Sequence, residues 1–370
     1  MNILMLTPVF DTGGTETYIE NLSTGLIKLG HSVMIASGGG IRVSHLTSIG
    51  IAHIHIKSLH KKGLLHSLKS VAQLIKLLRT HTTDIIHTSS VYTTLIAKLS
   101  VVAGIPFGAK KPQIVLTLHG GPTKDIERKS AKILKLMKTD TIAITNISKN
   151  SLIRYGMREE KLYQIYNGVD VERLKKLMLV DLHNELTQSL RANGKIILGY
   201  FGRLSEEKGV GQLVKAMEII TKYNKKIVLI VVGEGHCKNT LMYDIKANGL
   251  ENHIHLTGFQ YNPYAIMNDC DLIILPSQWD TAPMVILEAL ALGKNVIANN
   301  VGGTSELLGD AGECVSPEIQ SFVQAILGNV KARKYLRFNR EGQKRIEQQF
   351  SLEEMVKNTE AVYVKLNNQS

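Results

Sequence analysis

Short apolar runs alternate along this chain with stretches in which apolar residues recur at helical spacing. Ile3 to Leu6 is the first run; Gly13-Gly14 breaks it, and Tyr18, Ile19, Leu22, Leu26 and Leu29 then recur every three or four residues. Gly30 stops that helix, and Val33 to Ala36 opens the next strand. Runs at Asp84 to His87, Ile114 to Leu118, Thr141 to Ile144 and Tyr163 to Tyr166 keep the rhythm. Strand–helix alternation of this kind predicts a mostly parallel α/β sheet covered by helices on both faces.

Residues 171 to 194 interrupt the rhythm with a polar, charge-mixed stretch ending in Asn193-Gly194. A second series follows at Ile196 to Phe201, Ile227 to Val232, His253 to Leu256, Leu272 to Leu275 and Asn295 to Ala298. The pattern predicts two doubly wound units in tandem, residues 1–170 and 195–350, with 171–194 joining them. Ligands of such sheets bind outside the carboxyl ends of the strands, and here also in a cleft between the units.

Composition narrows the class. The 370 residues suit two domains, and 44% apolar residues supply real cores. Three cysteines without a CxxC provide no disulfide framework or zinc knuckle. The start, MNILMLTPVF, lacks a basic n-region, and no run approaches the ~18 apolar residues of a membrane span. The expectation is a cytoplasmic protein. Its net charge of +12 is unevenly placed: between Asn21 and Lys124, one acid, Asp84, stands against twelve Lys and Arg. A one-sided basic half points to an anionic partner.

Three places carry candidate chemistry. Gly13-Gly14 lies between a strand and a helix, where bare backbone amides and a helix N-terminus suit an anion; a ligand-free tight turn is the plain alternative. It is not a GxGxxG, which disfavours a dinucleotide site. Arg203 and Lys208, flanked by Gly202 and Gly209, offer a planar fork and a point charge to a diphosphate, or else form a solvated basic loop. The third is Pro276 to Ala289. Pro283 suits a first helical turn, which places Asp280 before the helix and Glu288 in its second turn. The two carboxylates then lie roughly 8–12 Å apart, too far for a retaining hydrolase dyad. They suit one group on a sugar and another on a ribose, with a diphosphate at the helix start.

Seven motifs in order resemble a family 4 glycosyltransferase of the group 1, GT-B type: GGTE at 13–16, LHGG at 118–121, NGVD at 167–170, GRLSEEKG at 202–209, VGEG at 232–235, PSQWDTAPMVILEALALG at 276–293 and VGGTSELL at 301–308. The resemblance implies a nucleotide diphosphate sugar, UDP-sugar above all, held mainly by the C-terminal domain, and metal-independent transfer with retention. Arg203 and Lys208 match the pair that grips the diphosphate. Glu288 matches the acid that binds the ribose. The backbone of Thr281, Ala282, Pro283, Met284 and Val285 matches the loop at the distal phosphate and hexose, and Gly233 of VGEG falls in the donor site. Gly13 and Gly14 match the N-domain turn that closes on the phosphates, and His119 the histidine facing the sugar. The resemblance also implies that the last segment, 351–370, returns to the N-domain as a helix. One departure stands out: Asp280 replaces the first Glu of E-x7-E, shortening that acid by one methylene.

Other readings are weaker. Asp269-Cys270-Asp271 has the form of a DxD metal motif, but the resemblance implies a structural Asp271. Cys237 follows His236 without a second ligand pair, so no metal site is expected. Nucleic acid is disfavoured by the lack of a recognition motif and by only 5% aromatics. An epimerase of the same fold and a non-catalytic partner subunit are the remaining alternatives. The acceptor is expected to be a glycan or lipid-linked, reached at an anionic membrane. Residues 59 to 80 carry Lys61, Lys62, Lys69, Lys76 and Arg79 and no acid. On a helix, Lys62, His66, Lys69, Gln73, Lys76 and Thr80 share one face, and Leu65, Leu68, Ala72 and Ile75 the other. Lys129, Lys132, Lys135 and Lys138 form a second basic helical pattern.

Overall fold

A computed structural model describes residues 1–11, 13–61, 63–104, 111–120, 124–180 and 185–368. The chain divides into two compact units, Met1–Gly168 with Leu352–Ser370, and Val169–Ser351.

The first unit is built on a seven-stranded sheet of β1 (Asn2–Leu6), β2 (Ser32–Ser37), β3 (Ala52–His55), β4 (Ile85–Thr88), β5 (Gln113–Leu118), β6 (Asp140–Ala143) and β7 (Leu162–Gln164). Their order is β3-β2-β1-β4-β5-β6-β7, and every pair is parallel. β1 shows why its sequence reads as an unbroken apolar run. Ile3 and Met5 pack with Tyr18, Leu22 and Leu26 of the helix Gly14–Lys28 and with Val356 and Tyr363 of the helix Leu352–Asn367. Leu4 and Leu6, on the opposite face, pack with Leu74 and Leu77 of the helix Leu64–Thr80 and Ile96 of the helix Val91–Gly104. A strand buried on both faces has no polar side to alternate with.

The second unit repeats the plan with β8 (Ile196–Phe201), β9 (Ile227–Val232), β10 (Ile254–Gly258), β11 (Leu272–Leu275), β12 (Val296–Asn299) and β13 (Glu313–Val315), in the order β10-β9-β8-β11-β12-β13. In each unit the winding direction reverses beside the first strand, between β1 and β4 and between β8 and β11. That reversal leaves a crevice at the carboxyl ends of those strands.

Two features depart from the sequence expectation. The edge strands β3 and β13 have no apolar run, because an edge strand with partly exposed faces needs none. Residues 171–194, expected as a polar connection, hold helices Val171–Val180 and Glu185–Ala192 of the second unit. The first buries Leu174 alone and the second Thr187 and Leu190, so their composition stays polar although they are folded.

The last helix lies so close to the first that Gly25 is needed between them. A Cβ on Gly25 would sit 2.3 Å from Cγ2 of Val356, a β-branched side chain with little freedom to move away. Helix propensity alone would make Gly25→Ala stabilising by ~1 kcal/mol. Overpacking should reverse the sign, and we expect the substitution to destabilise the protein by about 1–3 kcal/mol in denaturant unfolding. Adding Val356→Ala should recover part of that loss; a stabilising Gly25→Ala would contradict the packing.

Candidate active site

The candidate residues of the second unit stand at the carboxyl ends of its central strands. Gly202 and Arg203 follow β8, Gly233 follows β9, and Pro276 to Pro283 follow β11. Main-chain contacts draw these loops together. The amides of Gln278 and Trp279 both donate to the Glu207 carbonyl, at 2.9 and 3.1 Å, and the Gly202 amide donates to the Val232 carbonyl. Gly209 (φ 70°) passes so near β11 that a Cβ would lie 1.9 Å from the Pro276 carbonyl oxygen. Gly302 (φ 53°) approaches equally closely, with a Cβ 1.8 Å from the Asp280 carbonyl oxygen. Both positions require glycine for conformation and for space.

This arrangement brings two of the expected residues into contact. Lys208 Nζ donates to Asp280 Oδ2 at 2.5 Å, and the Asp280 side chain is nearly buried. Ser277 Oγ lies 3.5 Å from the same oxygen. Thr281 and Ala282 are half-buried, and the Thr281 carbonyl accepts the Gly303 amide at 3.1 Å. Pro283 was expected inside the first helical turn, but it is the residue before it, extended at ψ 114°. The helix runs Met284–Ala291 without a side-chain cap at its start. Met284 is buried, Val285 half-buried, and Glu288 sits in the second turn as expected. Tyr264 Oη donates to Glu288 Oε1 at 3.1 Å, a support that sequence spacing gives no sign of. Arg203 is exposed, and its carbonyl accepts from the buried Tyr200 hydroxyl at 2.8 Å. Burial opposes the charge on Glu207, yet the Ser205 hydroxyl, with Arg203 and Lys208 nearby, holds its carboxyl below the ordinary value.

The DxD pair does structural work. Asp271 Oδ2 accepts the Ile197 amide of β8 at 2.7 Å, and Asp269 Oδ2 accepts the Thr187 hydroxyl at 2.5 Å.

In the first unit, Gly13 (φ 159°, ψ 175°) precedes the helix Gly14–Lys28, and Gly14 is exposed. His119 follows β5. Its Nε2 is buried and has no hydrogen-bond partner among the described residues; Gly121 of LHGG lies outside them. The ring stands edge-on to Tyr18, with centroids 4.6 Å apart. Tyr18 in turn shares the Thr117 hydroxyl with His87 Nε2, at 2.9 and 2.7 Å, and His87 Nδ1 pairs with the Tyr363 hydroxyl. Burial depresses His119 to about 4, and burial together with the nearby His119 depresses His87 to about 3. Both imidazoles are therefore neutral near pH 7. Sequence reasoning missed Tyr18 as the ring against His119, and Thr117 and Tyr363 as the hydroxyls that join Tyr18 to His87.

Residues 183–345 match the family model described as glycosyl transferases group 1, and residues 12–173 match that described as glycosyltransferase family 4. The chain belongs to the family 4 glycosyltransferases. Among curated relatives of this family 4 member, the Escherichia coli UDP-Gal:alpha-D-GlcNAc-diphosphoundecaprenol alpha-1,3-galactosyltransferase is 28% identical over 72% of this chain and 71% of its own. The Staphylococcus aureus capsular polysaccharide glycosyltransferase CapM is 23% identical over 85% and 84%. Among solved structures, HepE of Anabaena, crystallised with UDP-glucose, superposes with a TM-score of 0.83 at 22% identity, covering 99% of this chain and all of that one. WaaG, a glycosyltransferase of lipopolysaccharide biosynthesis, gives 0.74 at 13% identity over 99% of each. The fold is GT-B.

A second surface of the first unit combines charge with exposed apolar groups. The helix Leu64–Thr80 buries Ser70, Leu74, Leu77 and Leu78. On the face opposite the charged row, Leu65, Leu68 and Ala72 are exposed and Ile75 is half-buried, and Leu64 and Leu65 are 77% and 73% accessible. Lys61, Lys69, Lys76 and Arg79 are exposed on the same segment, while Lys62 lies outside the described residues. Two neighbouring helices, Val91–Gly104 and Lys124–Met137, expose Leu99, Val102, Ile133 and Leu136 beside Lys129, Lys132 and Lys135. No helix among the described residues is long and apolar enough to cross a membrane.

The depressed histidines make stability depend on pH. Below about 6.5, the ordinary value, the unfolded chain takes up protons that folded His119 and His87 refuse until about 4 and 3. Stability from this source is full above pH 6.5 and falls on acidification, by an order of a few kcal/mol across the window. Denaturant midpoints at pH 7 and pH 5 should show the drop, and His119→Asn should make it shallower. An unchanged slope in that variant would mean His119 is not held neutral.

Proposed function

We propose that this family 4 glycosyltransferase moves a hexose from a UDP-sugar to a glycan or lipid-linked acceptor in cell-surface polysaccharide or glycolipid synthesis. The observation that carries the reading is the gathering of Arg203, Lys208, Asp280, Glu288 and an uncapped helix start at the switch point of the second unit. Arg203 and Lys208 meet the diphosphate, and the amides of the 281–285 segment meet the distal phosphate. Glu288, steadied by Tyr264, receives the ribose hydroxyls. These charges and dipoles are in place before reaction and oppose the negative charge that builds on the leaving diphosphate. Asp280 serves the hexose hydroxyls; in the first unit, taken by itself, the neutral His119 offers a hydrogen bond to a hydroxyl, and Gly13-Gly14 offers backbone amides to an anion. UDP is favoured by the galactosyltransferase relative and by the UDP-glucose found in HepE.

Transfer proceeds with retention and without metal. The acceptor oxygen bonds to the anomeric carbon on the face that the diphosphate leaves. The departing phosphate oxygen takes the acceptor proton, so no separate base is required. A thermal-shift panel of UDP, GDP and ADP tests the base: at ~100 times its dissociation constant a true ligand adds ~2.7 kcal/mol of stability. Stabilisation by GDP or ADP but not by UDP would overturn the donor assignment.

Two substitutions separate the roles. Glu288→Ala should lose transfer and weaken UDP by about 1.5–3 kcal/mol in calorimetry, the loss of a charge-assisted hydrogen bond. Asp280→Asn should abolish transfer while UDP binds as well or better, since Lys208 is then released from its ion pair. Equal loss of both properties would remove Asp280 from the hexose site.

The basic, leucine-bearing face of the first unit docks on the inner, anionic membrane surface, which suits a lipid-linked acceptor. Each basic residue near such a surface contributes ~1 kcal/mol, so three or four suffice for reversible adhesion, and the exposed leucines add apolar contact. The protein should cosediment with anionic but not neutral liposomes, and high salt should release most of it. Binding that ignores lipid charge and salt, or no binding at all, would leave a soluble acceptor.

A further inference from the structure

His236 and Cys237 lack a second ligand pair in sequence, but the fold supplies a third donor from another loop. Glu206 lies in a short turn after β8, and its Oε2 is 2.6 Å from His236 Nε2. The Cys237 thiol is within hydrogen-bonding reach of the same carboxylate. The three ligand atoms, one oxygen, one nitrogen and one sulfur, lie within 4.8 Å of one another. We propose that Glu206, His236 and Cys237 bind a thiolate-seeking divalent cation, Zn2+ by chemical class.

Three features support this. The donor set is of the kind zinc prefers: one thiolate, one imidazole and one carboxylate, leaving a fourth position open to water. With thiolate and carboxylate both ionised, the ligand charge of minus two balances the cation. Tetrahedral bond lengths set ligand–ligand separations of about 3.4–3.6 Å, so closure asks for movements of roughly 1 Å. Glu206 and His236 side chains are 77% and 63% exposed and can make them.

The loops beneath are fixed. The Leu204 amide donates to the Glu234 carbonyl at 2.9 Å, and the Cys237 amide donates to the Leu204 carbonyl at 3.0 Å. Gly235 comes so near that a Cβ would lie 2.2 Å from the Leu204 carbonyl oxygen. The ligands thus project from two strand-end loops already bonded to each other, a preorganised base for a site. A bound cation would act as a clamp between the loop that carries Arg203 and Lys208 and the turn that begins at Gly233. It takes no part in the transfer itself, so the inference stands apart from the donor assignment.

The test uses full-length protein stripped of metal by a chelator. Calorimetry should give one Zn2+ per chain, and Co2+ should produce a thiolate-to-cobalt absorption band that Zn2+ displaces. Mg2+, which prefers oxygen ligands, should not compete. Cys237→Ser should abolish the band, and His236→Ala and Glu206→Gln should each weaken Zn2+ by at least the ~10–100-fold that losing even a supporting partner costs. Cys314→Ser should leave both signals unchanged. Zn2+ should raise the melting temperature of the wild type but not of Cys237→Ser. Absence of Zn2+ binding, or a Cys237→Ser variant that binds as the wild type does, would overturn the proposal.

Discussion

The ion pair between Lys208 and Asp280 sits where the loops after β8 and β11 meet, and it ties those two loops together. Asp280 is almost withdrawn from water, so its charge has to be matched on the spot. Removing Lys208 would leave the Asp280 charge nearly buried and unmatched, which is destabilising, whereas removing Asp280 leaves a lysine partly open to water. The glycine approaches at Gly209 and Gly302 have the same purpose. They let main chain come within touching distance of Pro276 and Asp280, so that a short lysine turn and a short aspartate loop can meet. An anionic ligand arriving here would find a cation already positioned and already desolvated on one side.

The first unit solves a related problem with neutral groups. His87, Thr117, Tyr18 and Tyr363 join two strands, the first helix and the last helix through shared hydroxyls and one imidazole. Burial forbids charge on the imidazole, so one ring nitrogen donates while the other accepts, and the network is satisfied without ions. Tyr18 faces His119 edge-on, which restricts the one ring in this region whose Nε2 is buried and has no partner among the described residues. The helix Leu352–Asn367 therefore does more than cover the sheet. Through Tyr363 it helps to set the surroundings of a residue at the end of β5.

The central strands were legible because burial on both faces forces unbroken apolar runs: β8, β9 and β11 begin and end where the runs do. Edge strands β3 and β13 were not, since partial exposure relaxes that demand. The helices at 171–194 escaped notice for the same reason, burying one or two residues each. At the site, motif order located Arg203, Lys208, Asp280 and Glu288 in the chain, but no spacing rule could show Lys208 and Asp280 in contact across 72 positions. Nor could it show Tyr264 on Glu288, or Glu206 on His236. Contacts between loops of different strands depend on topology, and strand order is settled by packing rather than by neighbours in sequence.

Asp280 in place of the longer acid gains a physical meaning from this arrangement. A glutamate in the same loop would carry its carboxylate one methylene further out, past the point where Lys208 Nζ and Ser277 Oγ converge on Asp280 Oδ2. The shorter side chain holds the carboxylate close to the backbone, within reach of the lysine. Reach beyond the loop is thus exchanged for a close hold on the cation. Lys208 is occupied by protein; if, as proposed, a diphosphate competes for it, Asp280 would be released from its partner and need another hydrogen-bonding group. A hexose hydroxyl can fill that need. On the proposed donor reading the pair would work as a coupled element, in which occupancy of the phosphate position and engagement of the sugar by Asp280 favour each other.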